Sequence, residues 1–252
     1  MVFGTRLKIP HGQHRGNSCG WVSHARQQQD EFALNSHRKV VSAAREERLR
    51  SELAPVQVPK KRGKPVLVAM TESPRNDASL EQLSRLKPVF KKDGTVTSGN
   101  APGTNNGAAS VIVASRAKAK ELRLEPMAAV AGQAVSGVEP RDVMMAPVSA
   151  VENLLKKTGW EREVVALCEI NEAFSVQAIA VIEQLRLNPE KGNVNRGSVA
   201  LGHPIGCSGA QVLATLLHEL VRPDARRGIA ALGQGGGNAV AMAVERDRKS
   251  VV

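Results

Sequence analysis

The stretch "NVNRGSVALGHPIGCSGAQVLATLLHELV", residues 193–221, decides how the rest of the chain is read. In its second half Val212, Leu213, Leu216, Leu217, Leu220 and Val221 recur at helical spacing, which makes one whole face from Ser208 to Val221 apolar. Such a face needs a sheet to cover it. Directly downstream, "GIAALG" and "AVAMAVE" read as strands, with "QGGGN" between them as the turn of an antiparallel hairpin. In the first half, Gly202, Gly206 and Gly209 surround His203. Glycine permits positive φ and lets a ligand approach the backbone, while Pro204 stiffens the turn beside the imidazole. A single histidine in such a loop is a weak signal by itself.

Toward the N-terminus, strand and helix signals alternate. From about Gln28 to Leu53, Phe32, Ala33, Val40, Val41, Ala44 and Leu49 fall near helical spacing among charges, which predicts a surface helix. "KPVLVAM" reads as a strand and "SLEQLSRLKPVF" as a helix stopped by Pro88. The turn-rich "DGTVTSGNAPGTNNGAAS" leads into "ASVIVAS", a second strand. A helix over 116–123, a strand through "MAAVAGQAV", a helix over 147–158, a strand at "VVALCEI" and a helix from Ala173 to Leu187 follow. This alternation is the mark of an α/β layered fold, and no internal repeat interrupts it.

Composition narrows the function. With no Tyr, four Phe and two Trp in 252 residues, the core must be built from Ala, Val, Leu and Ile. The net charge of +11 is concentrated toward the start: residues 1–29 contain no Asp or Glu, and basic residues recur at Arg45–Arg50 and Lys60–Lys64. A basic surface suits nucleic acid, anionic lipid or a phosphorylated small molecule, and a charge run is also an ordinary solvated face. Without aromatics for base stacking or a recognisable nucleic-acid motif, no nucleic-acid partner is expected. Cys19, Cys168 and Cys207 lack CxxC spacing, so neither a disulfide framework nor a metal site is expected, and the compartment reads as reducing and cytoplasmic. No apolar run is long enough to span a bilayer, so no membrane partner is expected either. Residues 1–27 read as a divergent, disordered leader and 247–252 as a tail.

Two further elements give His203 company. In "EINEAF", residues 169–174, Asn171 and Glu172 stand where a strand ends and a helix begins, the place where α/β sheets bind ligands. Capping of the following helix is the plainer role for either. In "ALGQGGGNAVAMAVE" three glycines interrupt two strands, at a cost to strand stability. Bare N–H groups there suit an oxyanion hole, and a simple flexible turn is the alternative.

Together with "QDEFALNSHRK" and "DGTVTSGNAPG", these segments resemble the thiolase family, specifically acetyl-CoA acetyltransferases, in family order from about Gln28 to Arg246. The resemblance implies a thiolase-like layered α/β sandwich, of which this chain holds part of the loop domain (28–98) and the C-terminal domain (99–246). It implies acyl transfer between coenzyme A thioesters by Claisen condensation or its reverse, with no permanently bound cofactor, no metal and a homo-oligomeric assembly. His203 then activates a nucleophilic cysteine and polarises the acyl oxygen, Asn171 positions a water in the same hole, and the Gly235 N–H serves a second hole. Phe174 lines the pantetheine pocket and Arg75 meets the nucleotide end of coenzyme A.

The same resemblance exposes departures. The family's nucleophilic cysteine belongs to a segment with no counterpart here, since Cys19 stands in an unrelated context. Its second catalytic cysteine falls at position 233, where this chain has glycine. Pro102, Asn106 and Arg196 replace a common Ser, Asp and Gly, and Arg196 is expected to crowd the site. Cys207, at a helix N-terminus that favours its thiolate, is a candidate substitute nucleophile. The expectation is a truncated, inactive acetyltransferase, the alternative being a non-catalytic acyl-CoA-binding or interaction module. Half a sandwich should also leave an apolar helix face uncovered.

Overall fold

The computed structural model describes residues 24–246; residues 1–23, with Cys19 and most of the expected leader, and the expected tail 247–252 lie outside the described residues, while the end of that expected leader is ordered, since a helix begins at Arg26. Helix α1 (Arg26–Arg45) opens the fold and turns Ala33, Leu34, Val40 and Ala43 inward. Strands β1 (Val56–Val58) and β2 (Val66–Val68) form a separate antiparallel hairpin, followed by the short helices α2 (Leu80–Ser84) and α3 (Arg116–Glu121). The main domain then runs β3 (Ala129–Gly137), α4 (Ala146–Thr158), β4 (Leu167–Ile170), α5 (Ser175–Gln184), α6 (Ser198–Leu201), α7 (Ser208–Val221), β5 (Arg227–Gln234) and β6 (Asn238–Glu245). Helix α7 has the bounds its apolar periodicity predicts, and β5 and β6 form the expected hairpin.

The four strands lie in the order β3-β6-β5-β4, antiparallel except for the β4–β5 pair. Side-chain alternation divides the sheet. Ile229 and Ala231 of β5 join Ala239, Ala241 and Ala243 of β6 under α4 and α5, whose Ala150, Val151, Leu154 and Val181 are fully buried. On the opposite face Ala230 and Val244 meet Leu216 and Leu220 of α7, both completely buried. Small alanines on the sheet let the helices approach closely, which is how a core nearly free of aromatics is filled. Gly159, with φ 66°, ends α4 in the left-handed conformation. Helix α1 packs on α6 and α2 through Leu34, Val199 and Leu83.

Four expectations change. "ASVIVAS" is no strand: residues 109–115 join no sheet, and Ile112 and Val113 are 89% and 81% exposed. Its β-branched run has the propensity, but a strand exists only against a neighbour. The helix over 28–53 stops at Arg45 and continues as turns, and the one expected to run up to Pro88 shortens to Leu80–Ser84, with Ser79 and Gln82 forming a capping box. The apolar face of α7 is covered only in part, with Leu216 and Leu220 buried, Val212, Leu213 and Leu217 partly buried and Val221 exposed; further exposed apolar side chains include Ile112 and Val113, Val130 and Val135 of the edge strand β3, and the valines of β1 and β2.

All four residues of β4 are buried, Glu169 among them, and burial drives its carboxyl up to about 8, with the Arg196 charge pulling the other way. An unfolded chain ionises this group near 4.5, so the folded state loses stability as pH rises from there through about 8. Glu169→Gln should therefore raise the urea midpoint at pH 8 and leave it nearly unchanged near pH 4.5, as paired denaturation curves would register.

Candidate active site

The site gathers at the carboxyl ends of β4 and β5. Asn171 follows β4 directly, and its N–H donates to the Ala231 carbonyl at 3.0 Å, extending the parallel ladder by one bond. Its side-chain oxygen accepts from Ser198 Oγ at 2.6 Å, at a residue only 3% exposed. With the oxygen held from behind, the amide's two N–H donors face the other way. Neither Asn171 nor Glu172 caps α5: the N-cap position is Phe174, and no side chain caps it.

Glu172 has a different task. Its buried carboxylate accepts from Ser36 Oγ of α1 at 3.0 Å, Asn193 Nδ2 at 3.0 Å and the Val199 N–H of α6 at 3.1 Å. Burial raises its pKa while these three donors pull it back down. Gly197 makes the approach feasible, since a Cβ there would lie 1.9 Å from Glu172 Oε1.

This carboxylate sets the start of α6, and the loop after α6 carries His203. Gly202 takes φ +89°, a conformation that glycine adopts freely, and the His203 N–H donates to the Gly103 carbonyl at 2.8 Å. The imidazole is half-buried, and desolvation lowers its pKa below the ordinary 6.5, which favours the neutral ring. Its Nδ1 lies 2.7 Å from Ser208 Oγ, which also stands 3.0 Å from the Pro204 carbonyl. With its proton on Pro204, Ser208 accepts from Nδ1–H and leaves Nε2 a base; with its proton on Nδ1, Nε2–H is a donor. One hydroxyl thus supports both roles asked of the ring.

The three glycines form the β5–β6 turn beyond the Gln234–Asn238 pair. Gly236 and Gly237 take φ +87° and +97°, and the Gly237 carbonyl accepts from Val138 N–H at 2.8 Å, so the turn is tied to the end of β3. Gly235 is exposed, with nothing within 4 Å of an added Cβ. At Gly233 a Cβ would meet Pro147 at 3.6 Å, ordinary contact, so the backbone accommodates a side chain that the sequence does not provide. Among the described residues no hydrogen bond joins His203 directly to Asn171 or Gly235; Ser198 and α6 connect the first pair.

Phe174 meets Phe90 edge-on, with ring centroids 5.9 Å apart. Arg75 is exposed, and its backbone N–H donates to His37 Nδ1 at 3.2 Å. A groove of about 360 Å³ opens beside it between α1 and residues 70–76, lined by Val40, Ala44, Met70, Pro74, Arg196 and Gln211; it does not include His203, Asn171 or Gly235. Arg196 does not crowd the histidine. It turns away to Glu52 at 3.4 Å and the Gln211 carbonyl at 3.1 Å. Cys207 also departs from expectation, because burial raises its pKa despite its place at the N-terminus of α7. Cys168 is buried in β4, its thiol pushed up to about 12 by desolvation. Sequence reasoning passed over Ser198, Ser208 and Asn105. Ser208, five residues past His203 at a helix start, was visible as a signal; Asn105, whose buried Oδ1 has no hydrogen-bond partner and lies against Gly202, was not.

Comparison with known proteins gives the family. The family model "Thiolase, N-terminal domain" matches residues 11–117 and "Thiolase, C-terminal domain" matches 124–246. The chain belongs to the thiolase family, and the match begins well before the motifs that start at Gln28. A probable acetyl-CoA acyltransferase of Staphylococcus aureus (strain MSSA476) is 49% identical over 222 residues, 88% of this chain and 56% of the relative. Its counterpart in strain COL is 48% identical over 250 residues, 98% of this chain and 63% of the relative. The acetyl-CoA acetyltransferase of Bacillus anthracis superposes with a TM-score of 0.85 at 44% identity, over 88% of this chain and 56% of that one. Human mitochondrial 3-ketoacyl-CoA thiolase in complex with CoA gives 0.84 at 39% identity, over 88% and 55%. The chain thus spans little more than half the length of these proteins.

Two substitutions probe the loop. Gly202→Ala should lower stability by about 1–3 kcal/mol, because φ is positive and Asn105 occupies the Cβ position, whereas Gly206→Ala, with open space, should stay within about 0.5 kcal/mol. Urea midpoints of the two variants provide the comparison. The His203 Cε1–H resonance should titrate below pH 6.5; a midpoint at or above that value would contradict the half-buried ring.

Proposed function

We propose that this chain carries the acyl-oxygen side of an acetyl-CoA acetyltransferase-type site, formed by His203, Asn171 and Gly235, and lacks the proton transfer that turnover requires. The observation that carries the reading is the pair of back-side hydroxyl contacts, Ser208 on His203 and Ser198 on Asn171, which orient two polar side chains before any ligand arrives. Preorganised donors of this kind stabilise developing charge on an acyl oxygen, with single donors worth about 3–4 kcal/mol. Coenzyme A is the substrate class that the CoA complex of the human thiolase supports. The exposed Arg75 beside the groove suits its phosphates, and Phe174 with Phe90 suits the pantetheine arm.

Thiolysis sends a proton to the α-carbon of the departing acetyl group, and condensation removes one. Gly233 holds no group to do either. Desolvation raises the pKa of both described cysteines, Cys168 and Cys207, which disfavours the thiolate that a substitute base would need. A second reading, an acyl-CoA-binding module without catalysis, is favoured by the same intact hydroxyl contacts.

The purified chain should show no thiolysis of acetoacetyl-CoA above background; turnover that His203→Ala abolishes would refute the loss of activity. Calorimetry separates the two readings. Binding of acetyl-CoA in preference to CoA, with the preference lost in His203→Ala, marks a binding module; no binding of either marks a site without ligand recognition.

A further inference from the structure

The β1–β2 hairpin has no part in the proposed site, and it stands apart from the rest of the fold. Every residue from Ala54 to Met70 is exposed, and neither strand has more than marginal contact with another helix or strand. Its register pairs Val56 with Val68 and Val58 with Val66. Residues directly opposite in an antiparallel pair share a face, so four valines stand together on one side, 58%, 38%, 44% and 39% exposed respectively. Gln57 and Leu67 occupy the other side.

The turn at the end of the hairpin is "PKKRGKP", residues 59–65. Lys60, Lys61, Arg62 and Lys64 are all exposed there, and no Asp or Glu occurs between Leu53 and Thr71. Gly63, at φ +92°, folds the turn back, so the four cations crowd one end of the valine face. An apolar face bordered by uncompensated positive charge is complementary to a surface that is anionic outside and apolar beneath. A second copy of this chain would bring two such tips together and repel itself.

We propose that this hairpin docks the protein onto an anionic phospholipid surface, with the valine face against the acyl boundary and Lys60, Lys61, Arg62 and Lys64 among the headgroups. This departs from the sequence expectation of no membrane partner, which rested on the lack of a spanning segment; a peripheral hairpin needs none. The docking is independent of the acyl-CoA reading.

Co-sedimentation of the full chain with phosphatidylcholine vesicles, with and without phosphatidylglycerol, tests it. Binding should require phosphatidylglycerol and weaken with salt. A basic residue near such a surface contributes roughly a fivefold effect on partitioning, so Lys60→Gln/Lys61→Gln/Arg62→Gln should reduce binding about a hundredfold. An equally charged control, Arg38→Gln/Lys92→Gln/Lys156→Gln, should lose far less, which separates the hairpin from general basicity. Val58→Thr/Val66→Thr keeps charge and shape and should also weaken binding. Equal losses in the two triple variants, indifference to the valine changes, preference for poly(U) over vesicles, or self-association that the valine changes abolish would each overturn the proposal.

Discussion

A single buried carboxylate, that of Glu172, ties together the parts that make this chain one structure. Through Ser36 it holds α1, through Asn193 the edge of β4, and through the Val199 N–H the start of α6. A buried carboxylate is tolerable only when its oxygens are satisfied, so displacing any one of the three segments leaves it short of a donor. Asn193 extends this link by exchanging two 2.8 Å hydrogen bonds with the backbone of Ile170, doing for the open edge of β4 what a further strand would do. Gly197 leaves the space in which the carboxylate sits.

The functional loop inherits its position from that link. Because α6 is anchored at one end by Glu172 and packed on α1 by Val199 and Ala200, the chain leaves it in a fixed direction at Gly202 and presents His203. Ser198, on the same short helix, turns the amide of Asn171. One four-residue helix therefore orients both side chains, and the hydroxyl of Ser208 gives the imidazole a partner from the first turn of α7. Around this support the reactive groups are sparse: Gly233 has room for a side chain and none present, and burial raises the pKa of both described cysteines.

Much of the fold was legible because local pattern and tertiary demand coincide. The bounds of α7 with its buried Leu216 and Leu220, the β5–β6 hairpin and the buried second half of "VVALCEI" all follow their local pattern. "ASVIVAS" shows where this fails, since its residues prefer a strand but no neighbour completes one. The candidate residues His203, Asn171 and Gly235 were legible as motifs, whereas their supports were only partly so. Ser208 lies within the stretch that holds His203, but Ser36 and Glu172 are 136 residues apart, and no local pattern connects them.

What the sequence determined by itself is the α/β alternation of the main domain, the bounds of α7, the β5–β6 hairpin and the absence of a thiol at position 233, because these follow from residue type and spacing. Tertiary structure alone decided that Arg196 turns toward Glu52 instead of the histidine, that burial outweighs the helix N-terminus at Cys207, and that four valines of the β1–β2 hairpin share one exposed face. Each of these depends on which groups meet across the fold, and desolvation and pairing act only once they have met.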